Sequence, residues 1–528
     1  MEMNTLAATA GAAGALDFRQ KVLAMLGLCF VLLMVALDQT VVGTAMPTVV
    51  AELHGFDLYA WVGTSYLLTS VITVPIFGKL GDDHGRKPFV LTAIILFTAA
   101  SMLCGLAQNM LELVLARALQ GVGGGMLVAT TFACVPDMFP ETAQRLRWQV
   151  MLTAAFGLAN AVGPTLGGFL TEYLGWRWVF FVNLPVGAAS LWFVWSHLPA
   201  MRRAGPASKL DWQGALLIAI LLGSMQLLVE WLPLHKPLWL MAGLGLSGLA
   251  ALGLLLWWER RCPNPLLPLD MLSHRSLAPL FGLSLLLGGG MFAVMYYAPL
   301  MFQGGFGLSP NQAGLLVTPL VVCITLGSIL NGRIVTRVRR PTRLLALGLL
   351  LFAFTAGALG WVDAATKHWL VAVLMAVGGL GLGLLLPNLT IFVQQSAPRQ
   401  QLGVATAMIQ STRMIGGMLG TALVGVFVTH HYVAGVNALP IAPQWQGWLR
   451  DPQILLSAET SARFEQLAAA AQLNGGALLG ASRLALVDAI HVSQWLVAAL
   501  VVLGVLLVRR VPHVELRDVK TKTAVIHD

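Results

Sequence analysis

Two ionisable residues stand inside apolar stretches that are long enough to cross a membrane. Asp38 lies in VLLMVALDQTVVGTAMP and Arg117 in LVLARALQGVGGGM. A charged side chain at the bilayer centre costs at least about 2.5 kcal/mol, and residues of this kind are functional by default. Each residue of an α-helix advances the chain by about 1.5 Å. Asp38 therefore lies about 13 Å before Pro47, and Arg117 lies about 9 Å after Leu111. Both residues are thus at a similar depth below one membrane surface. We expect them to face each other, directly or through water.

Such a pair offers proton chemistry. Burial favours the neutral form of a carboxylic acid, whereas a neighbouring arginine favours the carboxylate. A helix movement or a bound substrate that alters the pairing therefore lets Asp38 take up or release a proton. The alternative is a fixed ion pair that only holds the first and fourth helices together.

The composition indicates a polytopic membrane protein. The chain has 528 residues, of which 57% are hydrophobic and 10% charged, whereas soluble domains carry about 25% charged residues. The formal net charge of +9 comes mainly from basic loops, so it does not indicate a nucleic-acid partner. The five cysteines are scattered without a metal-binding spacing, and no signal peptide is recognisable at the N-terminus.

Fourteen apolar runs are long enough to form spanning helices of about 20 residues. They cover, in order, 23–47, 59–78, 88–107, 111–134, 149–171, 177–196, 212–231, 238–258, 278–302, 312–332, 343–361, 368–393, 404–428 and 490–509. Lys and Arg concentrate in one set of connecting loops, which predicts that these loops and both termini are cytoplasmic. The long outer segment 430–489 contains ETSARFEQLAAAAQL, which we interpret as a helix outside the membrane.

Two of the cytoplasmic loops resemble each other. GKLGDDHGRKPFV follows the second span and GRIVTRVRRPTRL follows the tenth, and both open on Gly-basic-apolar and close on a basic pair before Pro. Such a repeat predicts two six-helix halves around a site at the membrane midplane; chance similarity between basic loops is the alternative. The resulting division is a cytoplasmic N-terminus 1–22, an N-terminal bundle 23–196, a linker with inserted helices 7 and 8 at 197–258, a cytoplasmic loop 259–277, a C-terminal bundle 278–509 and a cytoplasmic tail 510–528.

Seven short motifs follow one another along the chain. They are LDQTVVGTAMPTV, GKLGDDHGRKP, RALQGVGGGM, GLANAVGPTLGG, GWRWVFFVNLPVG, DWQGALL and STRMIGGMLGTA. In this order they resemble the motifs of the major facilitator superfamily, specifically of its fourteen-helix drug:proton antiporters of the EmrB/QacA type. The resemblance implies an all-α membrane fold of two six-helix bundles plus two inserted central helices. It also assigns proton coupling to Asp38 and Arg117.

The resemblance implies a cytoplasmic gate in the loop after the second helix. Its residues are Gly78, Asp82, Gly85, Arg86 and Lys87, with Asp137 after the fourth helix as a candidate partner for Arg86. A glycine suits a tight turn at this position, and a carboxylate there can accept hydrogen bonds from a helix N-terminus or an arginine. The alternative is a solvated loop whose bases only follow the positive-inside rule.

The fifth helix carries a set of small residues and one proline. They are Gly157, Gly163, Pro164, Gly167 and Gly168. Small residues let helices approach closely and proline bends a helix. The family resemblance implies a hinge and seal typical of antiporters, and generic helix packing is the alternative.

A substrate cavity is expected from adaptable and polar residues inside the spans. The candidates are Met291, Met295, Tyr296, Gln410, Arg413 and Glu230. Methionine and aromatic surfaces suit varied ligands, although lipid-facing or core packing also explains them. Arg413 either lines the central path or extends to the headgroups, and Glu230 lies either at the interface or at a cation site.

These features predict a proton-coupled antiporter that exports hydrophobic or cationic toxic compounds across the inner membrane by alternating access. The alternative is a dedicated exporter of one metabolite, lipid or dye. No nucleophile–base pair or phosphate-binding loop is present, so we expect neither an enzyme nor a cofactor, with protons as the coupling ion. Expected partners are the lipid bilayer and small-molecule drugs and, in a double-membraned bacterium, a periplasmic adaptor with an outer-membrane channel.

Overall fold

The protein is built from long helices. The computed structural model describes residues 17–139, 142–199, 211–231, 237–262, 265–266, 269–335, 337–338, 340–397 and 402–511. Within these ranges the long helices are α1 Phe18–Leu53, α2 Tyr59–His84, α3 Arg86–Leu106, α4 Met110–Met138, α5 Thr142–Tyr173, α6 Trp178–Phe181 continued as Asn183–His197, α7 Trp212–Trp231, α8 Leu238–Glu259, α9 Ala278–Leu300, α10 Pro310–Ile334, α11 Thr342–Leu359, α12 His368–Ser396, α13 Leu402–Asn437 and α14 Gly475–Val508.

Thirteen helices in the described part of the chain are long and apolar enough to cross a membrane. The helix outside this set is α5, which contains the predicted span 149–171. It carries Asn160, Thr165, Thr171 and Glu172 among its apolar residues, which lowers its hydropathy. The protein is therefore an all-α, multi-pass membrane protein, and the number of fourteen spans stays a prediction.

The helix packing repeats itself with an offset of eight helices. In the first half α1 packs against α5 and α6, and α4 packs against α2 and α3. In the second half α9 packs against α13 and α14, and α12 packs against α10 and α11. The same six-helix arrangement thus occurs twice, as the two similar loops suggested, and the halves meet where α5 packs on α10, α2 on α13 and α1 on α9. The exact domain boundaries remain predictions.

The two inserted helices form a hairpin on the side of this assembly. α7 packs against α8 and also reaches α2 and α13, one helix from each half. Asp211 holds the hairpin together, because its carboxylate accepts hydrogen bonds from the Gly214 backbone at 2.8 Å and from the indole of Trp258 on α8 at 2.7 Å. Within the DWQG motif, Asp211 therefore binds the first turn of α7 and links α7 to α8.

We call the end of the molecule where α1 ends and α2 begins the far end, and the opposite end, where Asp17 and Val511 lie, the terminal end. The far end carries the connection between α13 and α14, which spans residues 438–474 rather than the predicted 430–489 because both helices continue beyond their apolar runs. The predicted extramembrane helix is present as Ala458–Ala470. The connection is anchored by the Tyr432 hydroxyl, which donates to the Leu449 carbonyl at 2.6 Å.

Hydrogen bonds join the two halves at the far end. Gln303, in a π-helical turn after α9, donates to the Thr44 carbonyl at 2.8 Å. The Tyr59 hydroxyl donates to the carbonyl of Tyr296 at 2.8 Å. The backbone N–H of Asn311 donates to Glu172 at 3.0 Å. The two halves are thus closed against each other where α1, α2 and α5 meet α9 and α10.

The α5–α10 seam continues from the far end towards the middle of the membrane. The hydroxyl oxygens of Thr165 and Thr318 lie 2.5 Å apart, and the Thr325 hydroxyl donates to the Gly157 carbonyl at 3.2 Å. Gly157 lies about 24 Å along α5 from its far end. Gly78 and Gly332 open the two similar loops towards the terminal end. Within the described part of the chain, a side-chain carbon added at either glycine would have no neighbour within 4 Å.

Candidate functional site

Asp38 and Arg117 form a direct ion pair inside the first half. Arg117 Nη1 lies 2.6 Å from Asp38 Oδ2, and each residue is about 1% exposed. α1 and α4 run in opposite directions, so the two depths counted from the sequence place the charges at the same level. The predicted pairing is therefore direct and does not need a bridging water.

The carboxylate of Asp38 has further donors on its second oxygen. Gln120, one turn after Arg117 on α4, donates through Nε2 to Asp38 Oδ1 at 2.7 Å. Asn183 at the start of the second segment of α6 donates to the same oxygen at 3.5 Å, which is a long and weak contact. Arg117 also donates to Gln120 Oε1 at 2.7 Å, so the acid, the base and the amide form a closed triangle.

Arg117 is held by groups beyond the acid. Its Nε donates to the Val62 carbonyl of α2 at 3.2 Å, and its guanidinium carbon lies 4.4 Å from the centre of the Tyr66 ring. The Tyr296 hydroxyl of α9 lies against Gly63 and within reach of the same guanidinium. Because Tyr296 belongs to the second half, the charge pair is positioned to sense how the halves are arranged.

Asn183 is the least satisfied member of this network. Its Nδ2 donates to the Ser101 hydroxyl at 2.9 Å, and Ser101 in turn donates to the Phe180 carbonyl at 2.9 Å. The Asn183 Oδ1 atom is buried without a donor within the described structure. Sequence reasoning missed Asn183, Gln120 and Tyr66 as members of the site, although polar residues within apolar spans are a signal that could have found the first two.

The hydrogen bonds of Arg117 depend on the charge of Asp38. As the carboxylate, Asp38 balances the charge of Arg117 in a buried environment. A neutral Asp38 would not balance that charge, and Arg117 would be left with neutral acceptors, among them the Val62 carbonyl and Gln120 Oε1. A proton on Asp38 therefore favours any conformation in which Arg117 finds water or another acceptor.

No metal chemistry accompanies this site in the described residues. They contain no group of three or more His, Cys, Asp or Glu side chains arranged to hold a metal ion. Cys104, buried beside the network, has its sulfur 3.5 Å from Gln120 Oε1 and packs as a small side chain.

The predicted gate residues lie at the terminal end, around the turn between α2 and α3. Gly85 has a φ of +91°, which only glycine adopts without strain, so the expected tight turn is present. Arg86 is buried next to Gly81. Lys87 donates to the Trp195 carbonyl in the last turn of α6 at 2.8 Å, so it stabilises the first half rather than the seam between halves. The side chains of Asp82 and Asp137 lie outside the described residues.

The small residues of α5 serve two neighbouring helices. A side-chain carbon at Gly163 or Gly167 would collide with Thr40 or Thr44 of α1. Those at Gly157 and Gly168 would collide with Thr325 and with the Pro310–Asn311 backbone of α10, and the Pro164 carbonyl lies against Gly314 of the same helix. The motif thus lets α5 approach one helix of its own half and one of the other half.

The six candidates for the cavity fall in different places. Met295 has its carbonyl against Gly43 of α1, and Tyr296 is buried at the far-end seam, so both lie where the halves are closed. Met291 is half-buried on α9, and Gln410 and Arg413 are half-buried on α13. The side chain of Glu230 lies outside the described residues.

Comparisons with known proteins agree with this architecture. The Major Facilitator Superfamily model matches residues 28–421. The multidrug transporter protein MdtP of Bacillus subtilis (strain 168) is 33% identical over 457 residues, which cover 83% of each chain. Multidrug resistance protein 3 of the same organism is 32% identical over 428 residues, covering 78% of this chain and 80% of that protein.

Solved structures show the same fold at low sequence identity. A bacterial homologue of the human lysosomal transporter Spinster matches with a TM-score of 0.66 at 15% identity, covering 94% of this chain and 98% of that one. The family match extends over most of the chain, and the relatives are transporters rather than enzymes. The chain therefore belongs to the major facilitator superfamily.

Proposed function

We propose that this transporter is a proton-coupled antiporter that exports hydrophobic toxic compounds by alternating access. Two of its relatives are named as multidrug proteins, and the buried ion pair between Asp38 and Arg117 supplies a group that can carry the coupling proton. That pair is the observation that carries the proposal, because an ionised residue in a membrane helix is retained at a substantial energetic cost.

The far-end seam supports the access part of the proposal. The halves are joined through Gln303 and Tyr296 on the second half and Thr44 and Tyr59 on the first. With the far end closed, a substrate would have to enter from the terminal end. Export then requires the far-end seam to open and the terminal end to close, with α5 and α10 sliding or tilting against each other.

The protonation cycle follows from the state of the pair. In the conformation closed at the far end, Asp38 is bonded to Arg117 as expected of a carboxylate that has released its proton. Substrate then binds, the far end opens, and the substrate leaves as Asp38 takes up a proton from that side. The protonated acid no longer holds Arg117, and the transporter returns to the conformation closed at the far end. There Asp38 releases its proton towards the terminal end and pairs with Arg117 again, so the proton carried by Asp38 moves inward as the substrate moves outward.

The orientation of the protein in the membrane follows from its loops. The terminal end carries the basic loops, including Arg86 and Lys87 after α2, and basic loops face the cytoplasm. The far end then faces outward across the inner membrane, with both termini in the cytoplasm. In a double-membraned bacterium a periplasmic adaptor and an outer-membrane channel would continue the path from the far end.

The proposal is tested with the purified full chain in liposomes that carry a pH gradient and enclose a fluorescent substrate such as ethidium. We expect export that depends on the gradient in the wild type and its loss in Asp38→Asn. Asp363→Asn is the matched control, because Asp363 lies in an exposed loop between α11 and α12. Gradient-driven export by Asp38→Asn at the wild-type rate would refute the assignment of the proton site.

A further inference from the structure

The second half contains a charged residue for which the proton cycle has no use. Arg413 lies on α13, about 16 Å along the helix from its start at Leu402. At this level α13 lies directly against α9, because a side-chain carbon added at Gly288 of α9 would collide with the Arg413 carbonyl. Arg413 is thus well inside the helical bundle rather than at the rim of the membrane.

The side chain of Arg413 faces the protein and not the lipid. With about 100° per residue, Arg413 points within about 20° of Thr406, two turns earlier on α13. Thr406 accepts a hydrogen bond from Gln394 of α12 at 3.2 Å. Val404, which is 42% exposed, points about 180° away from Arg413. Arg413 therefore extends from the face of α13 that is bordered by α9 and α12.

The guanidinium of Arg413 has no acceptor among the residues that the structure describes. Among the described residues, neither a hydrogen bond nor an ion pair involves its side chain, in contrast to Arg117 with its four contacts. Arg413 is only half-buried, and its nitrogens are not among the side-chain atoms that are buried without a partner. The guanidinium is consequently not sealed within the packed helices.

A lone arginine at such a position selects for negative charge. The planar guanidinium presents a fork of N–H donors that matches a carboxylate or a related oxyanion with two parallel hydrogen bonds. In a partly desolvated crevice this interaction is stronger than in bulk water. A cationic compound at the same place would meet repulsion instead.

We propose that Arg413 is the recognition point for an anionic group on the transported compound, so that the exporter prefers hydrophobic acids over their neutral or cationic analogues. This inference rests on the proposed export function and names its substrate class. The apolar part of such a compound would lie against α9, where Met291 is half-buried. The oxyanion then supplies the acceptor that the described residues do not.

The test uses equilibrium binding to the purified full chain in detergent, with two probes that share one ring system: 9-anthracenecarboxylate and its neutral methyl ester. Fluorescence anisotropy measures both. We expect the acid to bind the wild type at least tenfold more tightly than the ester, a difference of about 1.4 kcal/mol. Arg413→Gln should reduce this ratio to less than about threefold, and Arg413→Lys should keep most of it. Arg463→Gln, on the exposed helix Ala458–Ala470, is the control for net charge.

Equal binding of acid and ester by the wild type would overturn the inference, and this result does not depend on whether a variant folds. An unchanged ratio in Arg413→Gln would overturn it as well.

Export measured in parallel separates the two proposals. If neither probe nor ethidium is exported under a pH gradient but the acid binds in an Arg413-dependent way, the export function fails and the anion site stands. If ethidium and both probes are exported without dependence on Arg413, the anion site fails and the export function stands.

Discussion

The coupling energy between Asp38 and Arg117 can be measured by a double-mutant cycle. The perturbations are Arg117→Met, Asp38→Asn and their combination. Arg117→Met removes the 2.6 Å hydrogen bond to Asp38 and the 3.2 Å hydrogen bond to Val62, and it leaves the carboxylate without a counter-charge. Asp38→Asn keeps the shape of the side chain but leaves Arg117 uncompensated.

The expected magnitude follows from the burial of the pair. Removing one member of a buried ion pair costs about 3–5 kcal/mol, because the other charge remains away from water. In the double variant neither charge remains, so its loss of stability should be smaller than the sum of the two single losses. Residues in direct contact show interaction energies of up to about 3 kcal/mol, and we expect a value near that limit for Asp38 and Arg117.

The same chain offers a matched control at its surface. Arg177 forms an ion pair with Glu52 near the far end, and their side chains are 33% and 51% exposed. Exposed pairs contribute about 0–1 kcal/mol. The cycle of Glu52→Gln and Arg177→Met should therefore give a coupling energy below about 1 kcal/mol.

The assay is unfolding of the detergent-solubilised protein, followed for the wild type and for all six variants under one set of conditions. A buried pair that couples more strongly than the exposed pair by about 2 kcal/mol agrees with the reasoning. Equal coupling energies at the two places would refute it. In that case the protein would stabilise Asp38 and Arg117 independently, and a change of protonation at one would not be felt by the other.

Two further predictions concern the seam and the far-end connection. A Thr165→Cys/Thr318→Cys variant should lose export on oxidation and regain it on reduction. The two hydroxyl oxygens lie 2.5 Å apart, so a disulfide at this place would keep α5 on α10. Undiminished export by the oxidised protein would show that this seam does not open. Burial, followed by the nearby charge of Asp57, raises the pKa of Asp451 in the connection, so the folded state binds a proton more tightly than the unfolded chain does. The free energy of unfolding should then fall as the pH rises through the raised pKa of Asp451. Asp451→Asn keeps the acceptor for the Gln453 N–H, and it should flatten this dependence in unfolding measurements at several pH values. An identical pH profile in the variant would contradict the prediction.

Part of the site could be predicted because depth in a membrane can be counted along a helix. The positions of Asp38 and Arg117 in their apolar runs were enough to place both at one level, and the structure pairs them directly. The turn at Gly85 followed from its residue type, and its positive φ agrees. The roles of these residues in transport stay predictions.

Other contacts depend on which faces of distant helices meet. Lys87 is a predicted gate residue, and the sequence did not indicate its hydrogen bond to the end of α6. Tyr296 is a predicted cavity residue, and the sequence did not indicate its burial at the far-end seam beside Arg117. Gln120 and Asn183 were not expected at the proton site at all. A polar residue in an apolar span marks Gln120 and Asn183 as unusual, but hydropathy and loop charge do not indicate which helices any of these side chains contact.

The sequence by itself determined that this protein is a helical membrane transporter, because long apolar runs must satisfy their backbone hydrogen bonds within helices and because its motifs lie in the order of one family. It also determined the depth of each charge. The tertiary structure alone decided which charges are neutralised, since neutralisation depends on how helices far apart in the chain are rotated and packed. Arg117 of α4 pairs with Asp38 of α1. Arg413 also lies within a long apolar run of the sequence, but it meets no acceptor in the described protein.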